Sequence, residues 1–127
     1  MEAYMYTYNI LIVEDDKQIA DAIEIYMKNQ NYGVFKAYNG QLAIEIFEKE
    51  VIHLIIMDVM MPVMDGLTAT KTIRSLKHPD AETIPIIAMT ANAFQEDAEK
   101  CIAVGMNAHL AKPLDIEKVK MTIYKYI

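Results

Sequence analysis

Short apolar runs and longer amphipathic stretches alternate along the whole chain. Asn9–Val13 is an apolar run that stops at Glu14-Asp15-Asp16. From Lys17 to Asn29 the apolar residues Ile19, Ile23, Tyr26 and Met27 recur at the spacing of one helix face. Tyr32–Tyr38 reads as a second strand opened by the turn residues Asn31 and Gly33. Asn39-Gly40 starts a second helix with an inward stripe of Leu42, Ala43, Ile46 and Phe47. A third run, Leu54-Ile55-Ile56-Met57, ends abruptly in an acid, Asp58. Beyond Gly66 a third helix carries Leu67, Thr70, Ile73 and Leu76 inward and dissolves at His78-Pro79-Asp80. Ile84–Met89 predicts a fourth strand, with Pro85 near its start, where a missing N–H is tolerated. Ala93–Val104 predicts a helix stopped by Gly105. Ala108–Ala111 is a short fifth strand, and Asp115 caps a last helix that buries Ile116, Val119 and Ile123.

Strands that alternate with helices call for right-handed βαβ crossovers and a parallel sheet covered on both faces. The fold expected is α/β and doubly wound, a five-stranded parallel sheet in the flavodoxin-like order 2-1-3-4-5 with five helices. Residues 1–127 read as a single domain without linker, repeat or low-complexity segment. Tyr4, Tyr6 and Tyr8 alternate, so residues 1–8 either lengthen the first strand or form a frayed tail.

Composition narrows the function. A 54 % apolar and 24 % charged chain is globular, and no apolar run approaches the ~20 residues that cross a bilayer. The N-terminus has neither basic nor hydrophobic signal regions, so the expected address is the cytoplasm, without membrane insertion. A net charge of −6 argues against direct nucleic-acid binding, which needs clustered Lys and Arg. The one cysteine, Cys101, permits no internal disulfide and no Cys-based zinc site, and reads as a buried core residue.

The candidate chemistry gathers at the carboxyl ends of the strands, where ligands bind in open α/β sheets. Strand 1 ends in Glu14-Asp15-Asp16 and its neighbour, strand 3, ends in Asp58, so these acids share one cleft. Asp16 serves as a helix cap, which leaves Glu14 and Asp15 facing Asp58. Two like charges ~4 Å apart repel by about 4 kcal/mol at an effective dielectric of ~20. Such a set needs protons or a cation, and an all-oxygen set suits Mg²⁺. Strand 4 delivers Thr90-Ala91 and strand 5 delivers Lys112-Pro113 to the same edge. Singly, Thr90 reads as a helix cap and Lys112 as a surface lysine; together the strand ends supply acids, a nucleophile, a hydroxyl and an ammonium.

The motifs Ile10-Leu11-Ile12-Val13-Glu14-Asp15-Asp16, Met57-Asp58-Val59-Met60-Met61-Pro62-Val63-Met64-Asp65-Gly66, Thr90-Ala91 and Lys112-Pro113 together resemble those of the receiver domains of two-component response regulators. The stretches Met64–Thr70, Thr90–Phe94 and Gly105–Pro113 are similar to receivers of hybrid sensor histidine kinases.

The resemblance implies that Asp58 accepts a phosphoryl group from a phosphohistidine, on a kinase or on a histidine phosphotransfer protein. It implies Mg²⁺, with Mn²⁺ as a substitute, on Glu14, Asp15, Asp58 and the backbone carbonyl of Met60. Lys112 would pair with Asp58, and Thr90 would turn toward the phosphoryl group. His109 stands where the family usually carries an aromatic switch residue, and a half-exposed histidine without that duty is an equal reading. Met60 and Asn92 fall at positions that tune hydrolysis of the aspartyl phosphate, and an apolar Met60 implies slow hydrolysis. Pro113 matches a cis-proline position. The chain would thus be a signalling domain and not an enzyme. The alternative is a haloacid-dehalogenase-like phosphatase, which wants a general acid where this chain has Met60. A degenerate receiver that binds partners without phosphorylation is disfavoured by the intact acids, Thr90 and Lys112.

Overall fold

The computed structural model describes residues 8–91 and 95–127. Its elements run β1 (Asn9–Val13), α1 (Lys17–Asn29), β2 (Gly33–Ala37), α2 (Gly40–Lys49), β3 (Leu54–Asp58), α3 (Gly66–Arg74), β4 (Ile86–Thr90), α4 (Gln95–Ala103), β5 (Ala108–Ala111) and α5 (Ile116–Tyr126). The five strands form one sheet in the order β2-β1-β3-β4-β5, and every pairing is parallel.

Side chains alternate across a strand, so one sheet feeds two cores. Leu11, Val13, Ile55, Met57, Ile86 and Ala88 point to one face and pack with Ala43 and Phe47 of α2, Ala69 and Ile73 of α3 and Cys101 of α4. Ile10, Ile12, Leu54, Ile56, Ile87 and Met89 point to the other and pack with Ala20, Ile23 and Met27 of α1 and Val119 and Ile123 of α5. The central strands β3 and β4 are buried from end to end, which is why they read as unbroken apolar runs. Met57 and Cys101 are core residues, as expected of a buried thioether and a buried thiol.

Four helix starts are fixed by side-chain caps that also aim the loops before them. Asp16, Asn39, Asp65 and Asp115 each accept from backbone N–H groups of the first turn. Gly40 and Gly66 are buried because the loop after β3 presses against both: a Cβ on Gly40 would lie 2.9 Å from the Met64 carbonyl oxygen. On Gly66 it would lie 2.4 Å from the Asp58 carbonyl oxygen, well inside contact distance.

Some boundaries and faces differ from the sequence expectation. β2 is two residues shorter than Tyr32–Tyr38, and β4 starts at Ile86 and extends to Thr90. α3 ends at Arg74, so Leu76 packs on the first core from beyond the helix. Leu42 and Ile116, both expected inside, are 40 % and 48 % exposed. Each sits at the start of its helix, where the helix has not yet closed on the sheet. Tyr4, Tyr6, Asn92 and Phe94 lie outside the described residues.

Candidate functional site

Asp58 is the last residue of β3, between β1 and β4, and is only 4 % exposed. Both its carboxylate oxygens are held. Oδ1 accepts the Met60 N–H at 3.1 Å, and Oδ2 accepts from Lys112 Nζ at 2.9 Å. Lys112 directly follows β5 and is joined to Pro113 by a cis peptide bond, and its own N–H donates to the Thr90 carbonyl at 2.7 Å. The ammonium therefore arrives from two strands away.

Glu14 lies just past β1, where its N–H bonds the Ala37 carbonyl at 3.0 Å and continues the ladder with β2. Its side chain is fully buried. Oε2 accepts the Asp16 N–H at 3.2 Å, and Oε1 forms an ion pair with Lys112 Nζ at 2.7 Å. Asp15 is exposed. Carboxylate oxygens of Glu14, Asp15 and Asp58 come within 4.8 Å of one another. The resemblance to receivers implied the pairing of Lys112 with Asp58; the ion pair of Lys112 with Glu14 and the Met60 N–H on Asp58 were not foreseen.

The charges explain the electrostatics. The Glu14 carboxyl is raised to about 7, chiefly by burial and further by nearby Asp58, against the lowering pull of Lys112 and the Asp16 N–H. Burial works against the Lys112 ammonium, yet Glu14 and Asp58 outweigh it and hold the lysine above its ordinary value. One ammonium faces three carboxylates. The set is all oxygen and overcharged, and Asp15 leaves it open toward solvent, which fits a hard divalent cation such as Mg²⁺.

Thr90 closes β4 and is 4 % exposed, and its hydroxyl oxygen is buried without a hydrogen-bond partner. An unsatisfied buried hydroxyl costs about 1–3 kcal/mol and asks for a partner. The plainer reading of Thr90 as a helix cap is not the one the fold gives, because the residue closes the strand. His109 pairs in register with Ala88, and Ala111 with Thr90, so His109 is on the same sheet face as Thr90. It is half-buried.

The loop between β3 and α3 closes on itself. Gly66 N–H bonds the Val59 carbonyl at 2.9 Å. At its tip the Met64 N–H bonds the Pro62 carbonyl at 2.8 Å, a three-residue γ-turn with Val63 at φ 70°. Met60 and Val63 are 74 % and 87 % exposed on this loop.

The family model of the response regulator receiver domain matches residues 10–124, and the chain belongs to that family. Regulatory protein VanR of Enterococcus faecium is 38 % identical over 121 residues, which cover 92 % of this chain and 50 % of VanR. The chain thus spans about half the length of that relative. Among solved structures, the receiver domain of sensor histidine kinase PA1611 from Pseudomonas aeruginosa is 35 % identical with a TM-score of 0.86, covering 94 % of this chain and 97 % of that one. That structure has a magnesium ion coordinated in its active-site cleft. The receiver domain of Ssk1 from Saccharomyces cerevisiae, crystallised with the histidine phosphotransfer protein Ypd1, is 28 % identical with a TM-score of 0.87. It covers 94 % of this chain and 88 % of that one. The chain is a receiver domain of two-component signalling, with relatives among response regulators and among the receivers of sensor kinases. The phosphatase alternative finds no support among them. No described helix is long and apolar enough to cross a membrane.

Proposed function

We propose that Asp58 takes a phosphoryl group from a phosphohistidine on a kinase or a histidine phosphotransfer protein, and that the aspartyl phosphate changes which partner the chain binds. The observation that carries this reading is the strand-end arrangement: a buried aspartate on a lysine, beside two more acids, with an unpartnered threonine hydroxyl on the next strand.

In the transfer, a carboxylate oxygen of Asp58 attacks phosphorus as the bond from phosphorus to the donor imidazole nitrogen breaks. The imidazole leaves with the electron pair of that bond. Holding Asp58 from two sides fixes the nucleophile for attack. Lys112 then pairs with a phosphoryl oxygen, an electrostatic role that a mobile ammonium fills well. The Thr90 hydroxyl gains the partner it lacks by donating to another. His109, on the same sheet face, follows Thr90 inward. Glu14, Asp15, Asp58 and the Met60 carbonyl would hold Mg²⁺, with Mn²⁺ able to replace it. When bound, the cation neutralises the acids and the charge that builds on the phosphoryl oxygens.

Incubation with phosphoramidate and Mg²⁺ should add one phosphoryl group to the intact mass, and Asp58→Asn should add none. Equal labelling of that variant would refute the assignment. The chain should not turn over p-nitrophenyl phosphate, because Met60 offers a thioether where an aspartate phosphatase needs a proton donor. Sustained release of p-nitrophenol would favour that enzyme instead. His109→Ala should leave labelling intact and weaken phosphorylation-dependent partner binding.

A further inference from the structure

Val63 is the one described β-branched residue with a positive φ, and it is also 87 % exposed. The left-handed region crowds Cβ against the following carbonyl, and a β-branched side chain suffers most there. Glycine or asparagine would make the same γ-turn without that strain. An exposed valine gains almost nothing from its isopropyl group within the folded chain. Strain retained at an exposed apolar residue points to a contact made outside the chain.

The position says which contact. Val63 is the tip of the loop that starts at Asp58 and folds back onto β3 through Gly66. Asp58 is 4 % exposed, so a donor histidine reaches it only by entering the cleft at the carboxyl edge of the sheet. A free small phosphodonor passes the loop without touching its tip. A histidine carried on a folded protein brings that protein's surface down over the rim, where Met60 and Val63 present exposed apolar groups. The loop is braced by two internal backbone bonds and by close contacts at Gly40 and Gly66 that leave no room for a Cβ. A preorganised apolar knob is suited to recognition, since it loses little freedom on binding.

We infer that Val63 is a specificity-determining residue, an apolar knob that packs against the phosphohistidine protein and speeds transfer from it but not from small donors. The inference rests on the phosphoacceptor role of Asp58 and adds the partner contact to it.

The test compares two donors on the same variants. One is phosphoramidate; the other is whichever phosphohistidine protein charges the unaltered chain fastest in a panel of kinases and histidine phosphotransfer proteins. Val63→Asn and Val63→Gly should be labelled by phosphoramidate as fast as the unaltered chain and should melt at the same temperature or higher. Transfer from the protein donor should slow about tenfold, the order expected from losing one buried apolar side chain. Val63→Leu should keep the protein-donor rate. Unchanged transfer from the protein donor to both variants would overturn the inference. So would equal slowing with both donors, which would mean that the loop shapes the cleft and touches no partner. If phosphoramidate fails to label even the unaltered chain, the phosphoacceptor reading fails, and that result is distinct from either outcome.

Discussion

At the scale of single residues, the site is held together by Lys112. It is the charge that lets a fully buried Glu14 and an almost fully buried Asp58 sit side by side. Removing one partner of such a pair leaves uncompensated charge behind. Because Lys112 is itself 22 % exposed, the cost should be below that of a wholly buried pair: about 2 kcal/mol for Lys112→Met without divalent cation, read from urea unfolding. Asp58→Asn should act in the opposite direction, since it removes one of the repelling acids and keeps the Glu14–Lys112 pair. A gain of about 1 kcal/mol is expected, and a loss would show that the acids do not oppose each other. Asp58, the two acids before α1, the Thr90 hydroxyl and the Lys112 ammonium were each legible in sequence as candidates, because every one ends a strand-like run. What escaped was how they share partners. A lysine paired with two acids, or an N–H from Met60 on Asp58, depends on side-chain reach across strands and leaves no trace in spacing. The φ of Val63 escaped for a related reason: valine is the residue that sequence rules would exclude from such a turn.

Among the elements, the loop from β3 to α3 sets the geometry of the cleft. Gly66 begins α3 directly under the Asp58 carbonyl, and no side chain fits between them. Gly66→Ala must push α3 away from β3, so it should lower the thermal midpoint sharply and reduce labelling of Asp58. A variant as stable and as reactive as the unaltered chain would contradict this packing. At the other end of α3, Arg74 donates to the Gly105 carbonyl twice, at 3.0 and 2.7 Å, to the Ala81 carbonyl at 3.0 Å and to Asn107 Oδ1 at 3.0 Å. Arg74→Met should cost about 1–2 kcal/mol by leaving half-buried carbonyls unpaired, yet labelling should persist, since the bonds lie away from the strand ends that carry the site. Element type and order followed from periodicity because each helix and strand has a distinct apolar face. Boundaries slipped where periodicity outruns the element, as at Leu76, or where an apolar residue opens a helix without reaching the sheet, as at Leu42 and Ile116.

For the whole molecule, the order β2-β1-β3-β4-β5 is what assembles the site. Residues as far apart in sequence as Glu14 and Lys112 meet because β1, β3, β4 and β5 all run the same way and end at one edge. The two cores on either side keep those ends in register, so the chemistry is presented by a rigid sheet and tuned by its loops. Under the proposed function, a phosphoryl group on Asp58 would alter the charge at the point where four strands converge, and one covalent change there would reach surfaces on both faces. The family places the chain among receivers; the identity of the acceptor residue is the claim on which the mechanism turns. The most direct measurement is to charge the chain with phosphoramidate and Mg²⁺, reduce it with borohydride and sequence the peptides by mass spectrometry. Borohydride converts an aspartyl phosphate to homoserine, so homoserine at position 58 and at no other acid is the result expected. Homoserine at Asp15 or Asp65 with Asp58 unchanged would contradict the account.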